Sequence, residues 1–214
     1  MFSLSSLDPL IKSRSLLKHP FYVKWEKGEL TLDDLRTYAK EYFHLVERVP
    51  GIVARVRVRV QDPLLRVRLE LQEQEEFMHV ELWKRFARSL GVSARELLTH
   101  EPSQKVRAAV KCLEELVAEG LEEGVAALYA FERELPEIAR TKKEGLLRFY
   151  GLSSEDAHVY FDEHLEEERH LASWRSIPLS HEGAREAAEV SLTAQNQILD
   201  AVCERCGISM ACAA

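Results

Sequence analysis

No run of apolar residues in this 214-residue chain is long enough to span a bilayer, and its first residues carry no signal-peptide core. The sequence therefore reads as cytoplasmic, with no membrane as partner. A basic excess is also missing. At a formal net charge of -7 the chain is a poor match for phosphate backbones, so nucleic acid is not an expected partner. Cysteine is scarce as well. Cys112, Cys203, Cys206 and Cys212 include one Cys-x-x-Cys, but no second pair or strand–helix setting makes it a zinc or redox site. Residues 203–214 read instead as a reduced, flexible tail. Internal repeats and low-complexity linkers are absent, and the length suffices for one domain over 1–214 with a sizeable core.

What is present is helical period. Leu4 to Lys18 reads as a helix with Leu7, Leu10, Ile11, Leu16 and Leu17 on its apolar face, ended by Pro20. Thr31 suits an N-cap, with Asp33 and Asp34 in the positive first turn. The helix it opens carries Leu35, Tyr38, Tyr42, Leu45 and Val49, and should kink or break at Pro50-Gly51. Val53 to Val60 and Leu65 to Leu71 alternate in a way that, alone, signals a β-hairpin. Asp62-Pro63 is equally a cap followed by proline at the first helical position. With helical period all around, helix–turn–helix is the better reading, its second helix running from Pro63 to Leu90. More helices are expected over Ser93 to Leu98, from Pro102 to about Gly120, over Leu121 to Lys142 with a bend at Pro136, from Ser153 or Ser154 to Ser176, and over Gly183 to Cys203. The expected fold is an all-α bundle of about seven helices.

Three segments carry candidate chemistry. Tyr160 to His170 packs acidic residues and two imidazoles into one stretch, while Glu75 to His79 and Tyr129 to Glu132 offer partners. Glu76 and His79 are three apart, so on a helix both side chains reach one point. Glu167 and His170 repeat that spacing, His164 lies three before Glu167, and Glu132 supplies an isolated carboxylate. Glu-x-x-His on two helices plus single carboxylates from others is the di-metal arrangement of helical bundles. Three carboxylates and three imidazoles nearly neutralise two divalent cations, and the mixed oxygen/nitrogen set suits iron or manganese. The bland alternative is a solvated, ion-paired helix face, since Glu-x-x-His recurs by chance in Glu-rich helices. Against it, Glu132 sits among Leu128, Tyr129, Phe131 and Leu135, where an unpaired carboxylate is costly.

The sequence also resembles a known family. His19 to Trp25, Lys27 to Thr31, Tyr38 to Lys40, His79 to Trp83, Gly124 to Tyr129 and Pro136 to Arg140 are similar to the CADD-like haem-oxygenase-like di-metal oxidases, relatives of the TenA/PqqC superfamily. The resemblance implies a haem-oxygenase-like bundle, a centre of two iron ions or one iron and one manganese, dioxygen and an external reductant as co-substrates, and a homodimer. It implies an enzyme that makes para-aminobenzoate for folate synthesis from its own tyrosine. Glu76, His79, Glu132, His164, Glu167 and His170 are the implied ligands, Glu76 requiring the family's longer Glu-to-His spacing to be shortened by about one turn. The family's third motif, His-x3-Asp-x2-His, is one residue shorter here. Glu167 keeps the spacing to His170 and Glu168 keeps that to His164, and a distortion such as a π-turn is needed for both histidines to converge. Tyr22, with Tyr38 as second candidate, matches the sacrificed ring, and Lys142 matches the nitrogen donor. Two other readings stand beside this one: a di-iron oxidase acting on an external amino or fatty acid, and a metal-free helical binding protein.

Overall fold

The computed structural model describes residues 2–179 and 183–210. Among these the regular structure is helical, apart from a lone bridge between Phe2 and Leu179. The stretch expected as a first helix is three short pieces: a 3-10 turn (Leu4–Leu7), α1 (Asp8–Ser13) and a second 3-10 turn (Leu16–Lys18). Pro20 does not end a helix but opens one. A proline loses nothing at the first helical position, and His19 Nδ1 accepts from the Phe21 amide, so α2 (Pro20–Lys27) starts there. Gly28, at φ 69°, closes it in the left-handed conformation.

Thr31 and Asp34 form a capping box on α3 (Leu32–Val46). The chain then breaks, and α4 (Val49–Arg57) begins with Pro50 in its first turn. Asp62 accepts from the Leu64 and Leu65 amides to cap α5 (Pro63–Ser89). The Val/Arg alternation is thus helical, and the reason is visible. Val53, Val56 and Val60 are buried at helical steps, while Arg55 and Arg59 donate to carbonyls of Glu114, Val117 and Ala118. The Val117 and Ala118 carbonyls belong to the last turn of α7 (Gln104–Glu119), where cations are favoured. Between them lies α6 (Ala94–Thr99).

Two expected helices are broken. The segment Leu121 to Lys142 divides into α8 (Leu121–Glu132) and α9 (Leu135–Arg148), with Pro136 in the first turn of the second. The stretch to Ser176 divides into α10 (Glu155–Glu163) and α11 (Glu168–Arg175). These breaks and the short N-terminal pieces raise the expected seven or so helices to twelve α segments among the described residues. The last, α12 (Gly183–Cys206), runs past its expected end at Cys203. Cys203 is fully buried there, so the expected flexible tail does not begin at 203, and Cys212 lies outside the described residues.

The fold brings α5 against α3, α4 and α10, sets α12 along α7 and α8, and packs α9 on α2 and α10. One core cluster runs through these elements and includes Leu35, Trp83, Val125, Phe161 and Ile198. No helix among the described residues is long and apolar enough to cross a membrane.

Candidate metal centre

On α5 the residues Gln72, Glu76, His79 and Trp83 recur at steps of four, three and four, and all four are buried as one stripe. Glu132, the last residue of α8, faces this stripe and is only 1% exposed. The third contribution comes from the break between α10 and α11. His164 is the C-terminal cap of α10 and Glu167 the N-terminal cap of α11, with His170 one turn inside it. The expected π-turn is therefore an outright interruption of the helix, which removes the roughly 120° separation an ideal helix imposes on His164 and His170.

All six expected ligands are buried and in contact as one group. His79 Nδ1 lies 3.1 Å from Glu76 Oε2. Glu167 bridges two histidines, hydrogen bonded to His164 Nδ1 and 3.0 Å from His170 Nδ1. The rings of His79 and His164 are 4.5 Å apart. Ligand atoms of Glu76, Glu132 and His170 lie within 4.8 Å of one another. Glu168, the alternative to Glu167, points away and pairs with Arg175 at 2.7 Å.

Partners outside these six orient the group. Glu132 accepts from Gln72 Nε2 at 3.1 Å and from Trp174 Nε1 at 2.6 Å. Glu75 accepts from His170 Nε2 at 2.7 Å and from Arg169 at 3.0 Å. Sequence reasoning missed Gln72, Glu75 and Trp174 in these roles. Gln72 was recoverable, because it lies seven before His79 on the same helical stripe. So was Trp174, four after His170.

The electrostatics are those of a cluster that satisfies itself with protons. Burial pushes Glu132 up to about 8, and Glu167 and Glu76 add to this against the pull of His170. Burial works against a charged His170, but Glu167, Glu132 and Glu75 outweigh it and raise it to about 10. Burial likewise opposes ionisation of Glu167, yet His164 and His170 hold it down to about 2. Two buried nitrogens, His164 Nε2 and His170 Nδ1, have no hydrogen-bond partner, the latter being out of line with the Glu167 oxygen beside it. Unpartnered imidazole nitrogens facing buried carboxylates are the donor set of a transition-metal cation, and these residues fit one.

The other expected residues form a second buried site. Lys142, 3% exposed, donates from Nζ to Tyr38 Oη at 2.6 Å. The rings of Tyr22, Tyr38, Tyr42 and Phe161 surround the amine at 5.1 to 5.4 Å. No carboxylate pairs with it among the described residues, and burial alone lowers it to about 7. Burial pushes the phenols of Tyr22 and Tyr38 well up, so both are neutral. Gly145 makes room for this arrangement. A Cβ there would meet Trp25 Nε1 at 2.5 Å, and that indole instead donates to the Lys142 carbonyl at 3.2 Å. Tyr160 joins the two sites, its ring 4.7 Å from His164 and 4.7 Å from Trp83, which in turn lies 5.6 Å from Tyr38.

Comparison with known proteins bears on the family and the fold. Residues 4–204 match the TENA/THI-4/PQQC family. A 4-aminobenzoate synthase of Chlamydia trachomatis serovar D is 39% identical over 180 residues, 81% of this chain and 78% of the relative. A 4-aminobenzoate synthase of Nitrosomonas europaea is 31% identical over 213 residues, 92% and 86% of the two chains. Among solved structures, a domain of unknown function with a heme oxygenase-like fold from Shewanella denitrificans superposes with a TM-score of 0.82 at 17% identity, covering 96% of this chain and 94% of its own.

Proposed function

Because the chain belongs to the TENA/THI-4/PQQC family and has the heme oxygenase-like fold, we propose that it is an oxygen-dependent 4-aminobenzoate synthase. Its relatives of that name support the product. In this reading Glu76, His79, Glu132, His164, Glu167 and His170 hold two metal ions, either two of iron or one each of iron and manganese. Tyr22, or Tyr38 in its stead, is the ring that becomes product, and Lys142 gives the nitrogen. Metal ions held there would supply the oxidising power, with dioxygen and an external reductant as co-substrates.

The observation that carries the reading is Lys142. A buried lysine with no counter-charge among the described residues is costly, since ring faces and one hydrogen bond to Tyr38 replace its hydration only in part. Lowered to about 7, its amine is substantially unprotonated near neutrality and is available as a nucleophile. The surrounding rings exclude water, so an electron-deficient tyrosine carbon meets the amine before it meets solvent. Tyr38 orients Nζ through their hydrogen bond. Gln72 and Trp174 hold the Glu132 carboxylate in place for a metal ion.

Intact-chain mass spectrometry after loading with ferrous ion and exposure to reductant and oxygen tests the proposal. Self-consumption predicts a chain lighter by a tyrosine side chain, located by peptide mapping at residue 22 or 38, and released 4-aminobenzoate carrying 15N from labelled lysine. A full-length chain of unchanged mass, with metal bound and oxygen consumed, overturns it in favour of an external substrate.

A further inference from the structure

The structure contains two small cavities that share a wall, the inner of them also touching Tyr42 of the amine cage. The inner one is bounded by Glu76, His164 and Tyr160, so it opens directly onto the candidate metal centre. The outer one lies between α4, α7 and α8, bounded by Ile52, Leu113, Val117 and Ala127. Leu45, Val49 and Phe131 bound both. Each measures about 10 Å³, room for one molecule of the smallest size.

The outer cavity is apolar throughout. Ser191 is its single polar side chain, and that hydroxyl donates to the Ala127 carbonyl at 2.9 Å while accepting from Gln195 at 3.3 Å. A water there would find no partners, and apolar cavities of this kind stay dry yet take up apolar gases. Close packing normally eliminates such voids, because each one forfeits contacts. Two of them in series, ending on buried carboxylate and imidazole, are placed as an approach for something small and apolar.

The opposite approach is different. Two recesses of 360 and 230 Å³ flank Glu75, Arg169 and His170, lined by charged groups including Arg68, Glu163 and Glu166. Ions and water suit that side, whereas an uncharged diatomic gas gains nothing from it.

We propose that the paired apolar cavities hold dioxygen and deliver it to the metal centre, with the Phe131 ring as the partition between them. This rests on the oxygen-using reading above. Crystals pressurised with xenon test the cavity itself, whether or not the protein turns over. Xenon should occupy the outer cavity beside Leu113 and Ala127. Its absence there overturns the proposal.

Two substitutions then link the cavity to the reaction. Ala127→Val fills the outer cavity and Leu113→Ala enlarges it, and both leave the candidate ligands untouched. Xenon should vanish from the first and increase in the second. With equal ferrous ion bound, oxygen uptake should slow several-fold in Ala127→Val and not slow in Leu113→Ala. A general packing disturbance slows both. Equal slowing, or an unchanged rate in an Ala127→Val crystal shown to lack the cavity, overturns the conduit alone. No oxygen uptake by any fully loaded protein overturns the functional reading and the conduit's purpose with it.

Discussion

The cluster around Glu132 and the cage around Lys142 are buried to a similar degree, yet the first keeps an ionised pair, Glu167 and His170, while the second gives its one charge up. Glu132, Glu167 and His170 lie within reach of one another, so ionised neighbours hold Glu167 down and His170 up. Lys142 has ring faces around it and no paired carboxylate among the described residues, so desolvation sets its pKa and its amine tends to neutrality. Burial alone is the same force in both places. What differs is the company, and the company decides whether a buried group is a ligand for cations or a nucleophile.

The sharpest break of this contrast is to remove the shared anion from the charged side. Glu167→Ala should abolish stoichiometric iron binding, measured by metal analysis of protein loaded with ferrous ion. It also strips His164 and His170 of their common carboxylate. His170 then keeps only its bond to Glu75, and the lost buried contacts should lower the stability of the metal-free protein by about 1–3 kcal/mol, read by urea unfolding.

Next in size is the opposite manoeuvre at the cage. The folded pKa of Lys142, about 7, lies below the ordinary lysine value of 10.5. Between those two values the unfolded chain binds a proton that the folded chain does not, so wild-type stability should rise with pH across that window. Below it both states are protonated and the full burial penalty is present; above it neither is, and the penalty is gone. The shift corresponds to at most about 5 kcal/mol. Lys142→Met keeps the volume and has no proton to lose, so its stability should lack this rise and exceed wild type most at the acid end. Product formation should cease. A parallel pH profile for the two proteins would mean the amine is solvated or paired after all.

How much of this was legible in the chain differs between the two regions for a physical reason. Helical period and capping chemistry were read correctly for Thr31–Asp34 and Asp62–Pro63, because those signals are local. The stripe Glu76, His79 and Trp83 was legible too, since an uninterrupted helix fixes where each residue points. Pro20 was misread as a stop, although proline at the first turn is as good a start. The interruption after His164 was legible only as a distortion that the convergence of His164 and His170 requires, not as the end of one helix and the start of another. No proline or glycine marks it, and residues 163–168 have ordinary helical composition. What opens the helix there is tertiary, since His164 and Glu167 turn inward toward partners on α5 and α8. The tyrosine shell of Lys142 was hidden for the same reason, being assembled from α2, α3 and α9 across more than 100 residues.

A smaller effect separates ligand from support within the charged side. Trp174 donates to Glu132 Oε2 at 2.6 Å but has no atom to offer a metal. Trp174→Phe should therefore retain the fold and still bind iron, with affinity about 10–100-fold lower, as loss of an orienting partner commonly produces. Complete loss of binding would promote the indole from support to a condition of assembly, and no loss would mean Gln72 alone holds the carboxylate.

The smallest expected effect bears on the register of the interrupted segment. Glu167 and Glu168 are neighbours in sequence, but the break turns one inward and the other out. Glu167 is 3% exposed and lies between two imidazoles, whereas the Glu168 side chain is 76% exposed and pairs with Arg175. An exposed ion pair is worth about 0–1 kcal/mol, because solvent screens it and two long side chains must be held still. Glu168→Ala should thus change stability within that range, weaken further in its effect as salt is raised, and leave metal content equal to wild type. Were the helix to run unbroken through His164, the spacing to that histidine would favour Glu168 instead, and Glu168→Ala would shed metal while Glu167→Ala kept it. Metal content of the two alanine variants, measured side by side, therefore reads the backbone geometry at residues 164–167 as directly as a map would.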